Sequence, residues 1–542
     1  MSFSPYDPTG VGSSRKGMRP VLVLLLIAAT ITGLGLLAWN FQRFERAPVS
    51  GTTPSAVAAA QATSTAWSRS GLNGPEPPSP VTTTTAAPTA QTQLPSATTT
   101  PVVALSLSEQ ALRTLDAAKV PVRDLYSITA RLKKIQGEVP RTTDKPAGNY
   151  ASGRKDVFNI SNITEQRYYT ITATIAEVSE HAYWYVENGI QVSQDAVRKV
   201  AATFESSIYP TNRRMFGSEW TPGVDNDPRI TVLFADITGA GGYYSSADEY
   251  TRAVNRFSNE REIIYIGTDG AGGIVGVEGV LAHEFQHMIH WHEHPNHDVW
   301  LNEGASVLAA DLNGFNVGGV DARFMTDTDV QLTTWRPVPS ESISNYGASF
   351  LFLDYLRAHY GGDKIIGSTV AAEGQGPDAI DNALTAVGRT ERFTDVFKNW
   401  TIANLVDGLP GSAENGLDYP DREVQVSPQD QIDTYPKEYS GQVSQFGADY
   451  IQLEPPAEGS NLRVKFSGQA DTPIISTTAH SGKHIWWSNR GDVADARMTR
   501  RFDLRSEKAA TLSFSIWYDV EEDLDYGYVE ASTDGGATWD TL

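Results

Sequence analysis

Residues 276–294 read GVEGVLAHEFQHMIHWHEH, residues 295–298 read PNHD, and residues 299–311 read VWLNEGASVLAAD. The first run has helical spacing with apolar Val280, Leu281, Phe285 and Met288, and Pro295 stops it. On a helix, positions i and i+4 share a face, so His283 and His287 can turn both imidazoles toward one ion with Glu284 beside them. Neutral imidazole suits Zn²⁺, and a catalytic zinc takes three protein ligands and leaves a fourth position for water. The pattern therefore points to a zinc-dependent hydrolytic site and requires a third ligand.

That ligand is sought downstream. A metzincin-type site would place a histidine six residues past His287 and a glycine three past it, but Glu293 and His290 stand there. His294 is one residue out of register. After the break at 295–298, a second helix over 299–311 can fold back on the first and return Glu303, sixteen residues beyond His287. Glu303 is accordingly the expected third ligand, with a plain helix-surface carboxylate as the alternative. Six of the ten histidines fall between 283 and 297, and His283, His287, His290 and His294 share one helical face.

Composition narrows what surrounds this site. The chain has 542 residues, and 40% hydrophobic content with 12 Trp, 22 Tyr and 19 Phe is enough to fill more than one core. A net charge of −22 repels phosphate backbones, which argues against nucleic-acid binding. There is no cysteine, so any metal must be held by His, Asp or Glu.

Toward the N-terminus, residues 1–20 read as a cytoplasmic tail and 21–39 (VLVLLLIAATITGLGLLAW) as one membrane-spanning helix, for which about 20 apolar residues are needed. Arg15, Lys16 and Arg19 before it favour a cytoplasmic N-terminus, so the chain is expected to be single-pass with its bulk outside the cell. The alternative is a cleaved signal peptide and a secreted protein. Residues 40–104, dominated by Thr, Ala, Ser and Pro, cannot bury enough apolar surface to fold and read as a disordered stalk. Residues 105–155 have helical periodicity and form a lead-in that packs on the next domain or acts as a removable propeptide.

The catalytic domain is expected over 156–407. Residues 168–185 read as strand, 193–207 as an amphipathic helix, 229–236 and 262–267 as buried strands, and 363–372, 378–387 and 393–406 as further helices. The glycine-rich run 239–244 is a candidate cleft edge for an extended substrate. Asp225-Asn226-Asp227 is acidic enough for Ca²⁺ but reads more simply as a turn. Residues 408–444 form a connection, and 445–542 carry short alternating runs with a hairpin signal at Asp534-Gly535-Gly536, as an all-β sandwich would. The acidic residues Asp519, Glu521, Glu522 and Asp523 are a second Ca²⁺ candidate, with a solvated acidic loop as the simpler account.

HEFQHMIHWHEH followed by VWLNEGASVLA resembles the Glu-ligand zinc metallopeptidases, the gluzincins, and among them the bacterial hyicolysin-like and immune-inhibitor-A-like secreted peptidases. The resemblance runs over about residues 204–400. A separate one covers MTRRFDLRSEKAATLSFSIWYDVEEDLDYGYVEASTDGGATW, similar to sandwich modules appended to immune-inhibitor-A-like peptidases; such modules usually extend beyond the point at which this chain stops. The resemblance implies an α+β zincin-like catalytic domain, with His283, His287 and Glu303 on zinc and Glu284 as general base. Thermolysin-like members have an aspartate four residues past the glutamate ligand, where Val307 stands here; Asp311, one turn further, is the expected substitute for orienting a ligand histidine. Related enzymes place a tyrosine or histidine donor near the start of a later helix, and Tyr346, at the start of a helix over 346–359, is the candidate; a core-packing aromatic is the alternative, and Tyr243, Tyr244 and His290 are reserves.

The expected function is that of an exported, membrane-anchored zinc endopeptidase acting on extracellular proteins or peptides, with a cell-surface glycan or protein ligand for the C-terminal sandwich. The alternative is a surface adhesin or glycan-binding protein whose peptidase-like domain is a non-catalytic scaffold. The intact Glu284 favours the enzyme.

Overall fold

The computed structural model describes residues 58–59 and 106–542 apart from 145–147, 163–164, 166, 269–275, 337–338, 470–471 and 521–524. The expected membrane span at 21–39 and most of the stalk lie outside the described residues; among the described residues no helix is long and apolar enough to cross a membrane. Two compact units separate within the chain; of the described residues, one holds 125–468 and the other 469–542 with 58–59 and 106–124.

The larger unit is mixed α and β. Its six strands are β1 (Lys155–Asn162), β2 (Arg167–Val178), β3 (Ala182–Glu187), β4 (Ile230–Ala235), β5 (Gly242–Tyr244) and β6 (Ile263–Gly267), in the order β1-β2-β3-β4-β6-β5. β3, β4 and β6 run parallel, and β5 returns antiparallel on β6 as the last strand of the sheet. Alternation decides the two faces. Trp184, Val232, Phe234, Ile264 and Ile266 point into the helical core, while Tyr183, Tyr185, Leu233, Ile263 and Tyr265 form a second cluster on the opposite face. The sheet curls far enough for the Tyr243 side chain of β5 to reach β1 across its face: the Ser161 amide on β1 donates to the Tyr243 hydroxyl at 3.1 Å.

Helices α3 (Gln194–Thr203), α4 (Tyr209–Phe216), α5 (Glu278–Glu293), α6 (Val299–Leu312), α7 (Val320–Met325), α8 (Pro339–Tyr360), α9 (Asp363–Val370), α10 (Gly376–Ala386) and α11 (Phe393–Val406) contribute to the core on the first face, and α2 (Leu125–Leu132) also belongs to this unit. Leu281, Phe285, Met288 and Ile289 of α5 lie in the same core as Leu301, Leu308, Phe350 and Leu353 of α6 and α8. A short pair, β7 (Asp430–Ile432) with β8 (Ile451–Leu453), follows α11.

Several expectations are corrected. Residues 168–185 form a hairpin rather than one strand, because the Ser179 amide bonds the Ala182 carbonyl at 2.9 Å and reverses the chain. The helix expected over 193–207 shortens to α3, then passes through a π turn at Phe204–Ile208 into α4. α8 begins at Pro339, seven residues before Tyr346.

In the smaller unit, α1 (Leu107–Ala117) opens with a capping box: Ser106 Oγ accepts from the Glu109 amide at 3.2 Å, and Glu109 Oε2 accepts from the Ser106 amide at 2.7 Å. The Asp534-Gly535-Gly536 turn lies between β10 (Glu530–Ala531) and β11 (Asp540–Thr541), which pair antiparallel; both glycines have positive φ. Among the described residues of this unit, the other C-terminal strand is the two-residue β9 (Ser515–Ile516). Trp486 is 90% exposed, as is 89% of Phe466 in the preceding unit. Alternation marks a face that wants cover, but it does not supply the neighbouring strand whose backbone groups complete a ladder.

Candidate metal centre

α5 and α6 form the site. α5 is fixed from beneath by Phe285, whose ring meets Phe204 edge-on at 5.3 Å and stacks on Tyr209 at 5.5 Å. The Asn212 side chain of α4 donates to the Ala282 carbonyl at 2.8 Å, one residue before His283. The 295–298 turn then reverses the chain, and α6 returns Glu303 to α5 as its spacing suggested. Glu303 Oε2 lies 3.4 Å from His283 Nε2 and 3.6 Å from His287 Nε2. The two rings are 4.7 Å apart at 77°.

These residues fit a metal ion. One ligand atom from each of His283, His287 and Glu303 lies within 4.8 Å of the others, and all three side chains are buried. His283 Nε2, His287 Nε2 and both Glu284 oxygens are buried without a hydrogen-bond partner, an arrangement that costs several kcal/mol per group unless something else satisfies them. Burial pushes His283 down to about 3 and His287 down to about 4, Glu303 opposing the second shift, so both rings are neutral and able to ligate. Burial, and then Glu303, push the Glu284 carboxyl well above the usual range, with the Tyr244 backbone opposing. Two nitrogens and one carboxylate with no sulfur match the donor set of a catalytic zinc site.

His287 is oriented by residues that sequence reasoning missed. Its Nδ1 lies 2.8 Å from Asn302 Oδ1 and 3.0 Å from Ser306 Oγ, both on α6, which leaves Nε2 for the ion. Asn302 and Ser306 share a face of α6 at i and i+4, and Asn302 immediately precedes the ligand glutamate; that spacing was the available signal. Asp311, expected in this role, instead pairs with Arg422 at 2.7 Å. A guanidinium from beyond α11 claims it, which the local sequence of α6 could not foretell.

Tyr346 on α8 belongs to the same buried group. Its hydroxyl is pushed well above the usual tyrosine range by burial and then by Glu303 and Glu284, and its ring meets Trp335 edge-on at 4.8 Å. α8 comes this near because residue 304 is glycine: a Cβ there would lie 2.8 Å from the Ser349 carbonyl oxygen. The reserves are engaged elsewhere. Tyr243 accepts from Ser161, Tyr244 donates to Glu249 at 2.6 Å, and His290 bonds His297 at 2.8 Å. His294 stacks on His297 with ring centroids 4.0 Å apart.

The Asp225-Asn226-Asp227 calcium candidate bonds as a turn. Asp227 accepts from the Arg229 amide at 3.1 Å and from the Tyr183 hydroxyl at 3.0 Å, and Asp225 accepts from the Asp227 amide at 3.0 Å, the bonding of a turn. Residues 521–523 lie outside the described residues. One other metal-capable trio occurs among the described residues, Glu180, His181 and Glu205, and it is partly exposed.

A buried two-histidine, one-glutamate centre with an adjacent carboxylate, set between two helices beside a curled mixed sheet, has the donor set of a metal-dependent hydrolase. Residues 458–541 match the family described as Immune inhibitor A-like, MAM domain, which relates the chain to the immune-inhibitor-A-like peptidases through its C-terminal module. No curated protein matches the chain.

Proposed function

We propose that the chain is a zinc-dependent endopeptidase, exported and anchored in the cell membrane through residues 21–39, that hydrolyses extracellular proteins or peptides. The observation that carries this reading is the convergence of His283 Nε2, His287 Nε2 and Glu303 Oε2 with the buried, unpartnered Glu284 carboxylate beside them. The match of residues 458–541 supports a peptidase in particular.

His283, His287 and Glu303 would hold the ion. When bound, Zn²⁺ supplies a Lewis acid that polarises a scissile carbonyl and lowers the pKa of water toward about 7. Glu284 takes the proton from the attacking water and returns it to the departing amine; a carboxylate in a dry site is a stronger base than one in water. The Tyr346 hydroxyl, kept protonated by burial, donates to the developing oxyanion. β5, last in the sheet and adjacent to Glu284 through the Tyr244 backbone, offers an edge along which an extended peptide can add. The C-terminal module is assigned a cell-surface glycan or protein ligand.

The test is cleavage of casein or gelatin by purified protein beside Glu284→Gln. The variant should keep its zinc and lose about 10²–10⁴-fold in kcat. Unchanged cleavage would sink the assignment, and zinc binding without cleavage by the parent protein would favour a non-catalytic adhesin scaffold.

A further inference from the structure

We propose that Ser306, Gln286, His290 and His297 form a one-way hydrogen-bond chain, running from His287 to the Ala372 carbonyl, that holds His287 as its Nδ1–H tautomer and keeps the Nε2 lone pair turned to the metal. The inference rests on His287 being a ligand. It concerns residues of α5, α6 and the turn between them that take no part in the proposed chemistry.

The direction of the chain follows from its distal end. A main-chain carbonyl only accepts, so His297 Nε2, 2.8 Å from the Ala372 oxygen, carries the proton. In a neutral ring Nδ1 is then bare, and it accepts from His290 Nε2–H at 2.8 Å. His290 Nδ1 is bare in turn and accepts from Gln286 Nε2 at 3.1 Å. That turns the Gln286 amide oxygen to Ser306, whose hydroxyl donates to it in preference to the more distant Asn302 carbonyl at 3.0 Å. With its proton committed, Ser306 Oγ can only accept from His287 Nδ1–H at 3.0 Å, alongside Asn302 Oδ1 at 2.8 Å. Flipping the Gln286 amide would reverse the His290 and His297 protons and set a bare His297 nitrogen against a carbonyl oxygen, so the amide orientation is determined by the network itself.

The chain is dry and neutral. Gln286 and Ser306 are wholly buried and His290 is 1% exposed. Burial holds His290 well below the usual histidine range and His297 at about 4, which removes the doubly protonated ring that would break the one-way order. Ala372 lies between α9 and α10, so a turn remote in sequence sets the proton position on a ligand of α5.

Long-range ¹H–¹⁵N imidazole spectra of the metal-free protein test this directly. His287 should be Nδ1–H, and both His290 and His297 should be Nε2–H. His297→Gln can donate to Ala372 and accept from His290 and should keep zinc affinity near the parent value. His297→Phe breaks the chain and should raise the zinc dissociation constant about 10-fold or more, the usual effect of losing a partner behind a ligand. An Nδ1–H signal on His290 or His297, or equal zinc constants for His297→Phe and the parent, would overturn the proposal. Should His297→Phe fail to fold, the parent tautomers decide alone. The predicted tautomers in a protein that cleaves nothing would support the chain and remove the peptidase reading.

Discussion

Gly304→Ala is expected to damage the site while adding one methyl group. In an exposed helix the change would stabilise by about 1 kcal/mol, because alanine loses less backbone entropy. Here the added Cβ would stand 2.8 Å from the Ser349 carbonyl oxygen and 2.9 Å from its carbon, whereas ordinary contact begins near 3.4 Å. The obstacle is main chain, so α8 must recede from α6 by about 0.6 Å. Overpacking of this kind costs about 1–3 kcal/mol, which outweighs the propensity gain and leaves a net loss of about 1 kcal/mol. The larger consequence is geometric, since Glu303 adjoins the new methyl and Tyr346 is one helical turn before Ser349. A displacement approaching 1 Å can cost about 10²-fold in rate, so kcat should fall about 10-fold or more. Thermal melting and peptide-cleavage kinetics on the same preparation measure both effects. A variant that melts higher than the parent with unchanged kcat would refute the close α6–α8 approach.

Two further outcomes are expected. Tyr346→Phe should lower kcat about 10²–10³-fold with little change in KM and in bound zinc, if its hydroxyl acts on the oxyanion; an unchanged kcat would leave Tyr346 as a packing residue. Burial lifts Asp248 from 3.8 to about 7 in the folded protein. The native state therefore binds the extra proton, and the stability this confers is present below pH 4 and is lost as pH rises through 7, by about 4 kcal/mol across the interval. Asp248→Asn should flatten that slope, melting higher than the parent at pH 8 and close to it at pH 4; parallel melting curves would contradict it.

How much of this was legible in the sequence varied with the range of the interactions. The α5 pattern, the break at Pro295 and the return of Glu303 are local, set by helical spacing and one proline, and each appears where expected. The central strands β4 and β6 were equally plain, because apolar residues on both faces give continuous runs. The β2–β3 reversal was hidden, since Ser179-Glu180-His181 lacks glycine or proline and the β-rich run continues across it. Asp311 and Asn302 show the limit most clearly. Both are polar residues of α6, and only tertiary packing assigns one to Arg422 and the other to His287. The resemblance of 498–539 to modules of immune-inhibitor-A-like peptidases agrees with the match over 458–541, while among the described residues few of the short alternating runs are paired as strands.

Zinc stoichiometry of the purified protein and of Glu303→Ala tests the central claim most directly. One zinc per chain in the parent, lost or bound at least 10-fold more weakly in the variant, is the predicted result. Full zinc retention by Glu303→Ala would contradict the two-histidine, one-glutamate centre on which the account stands.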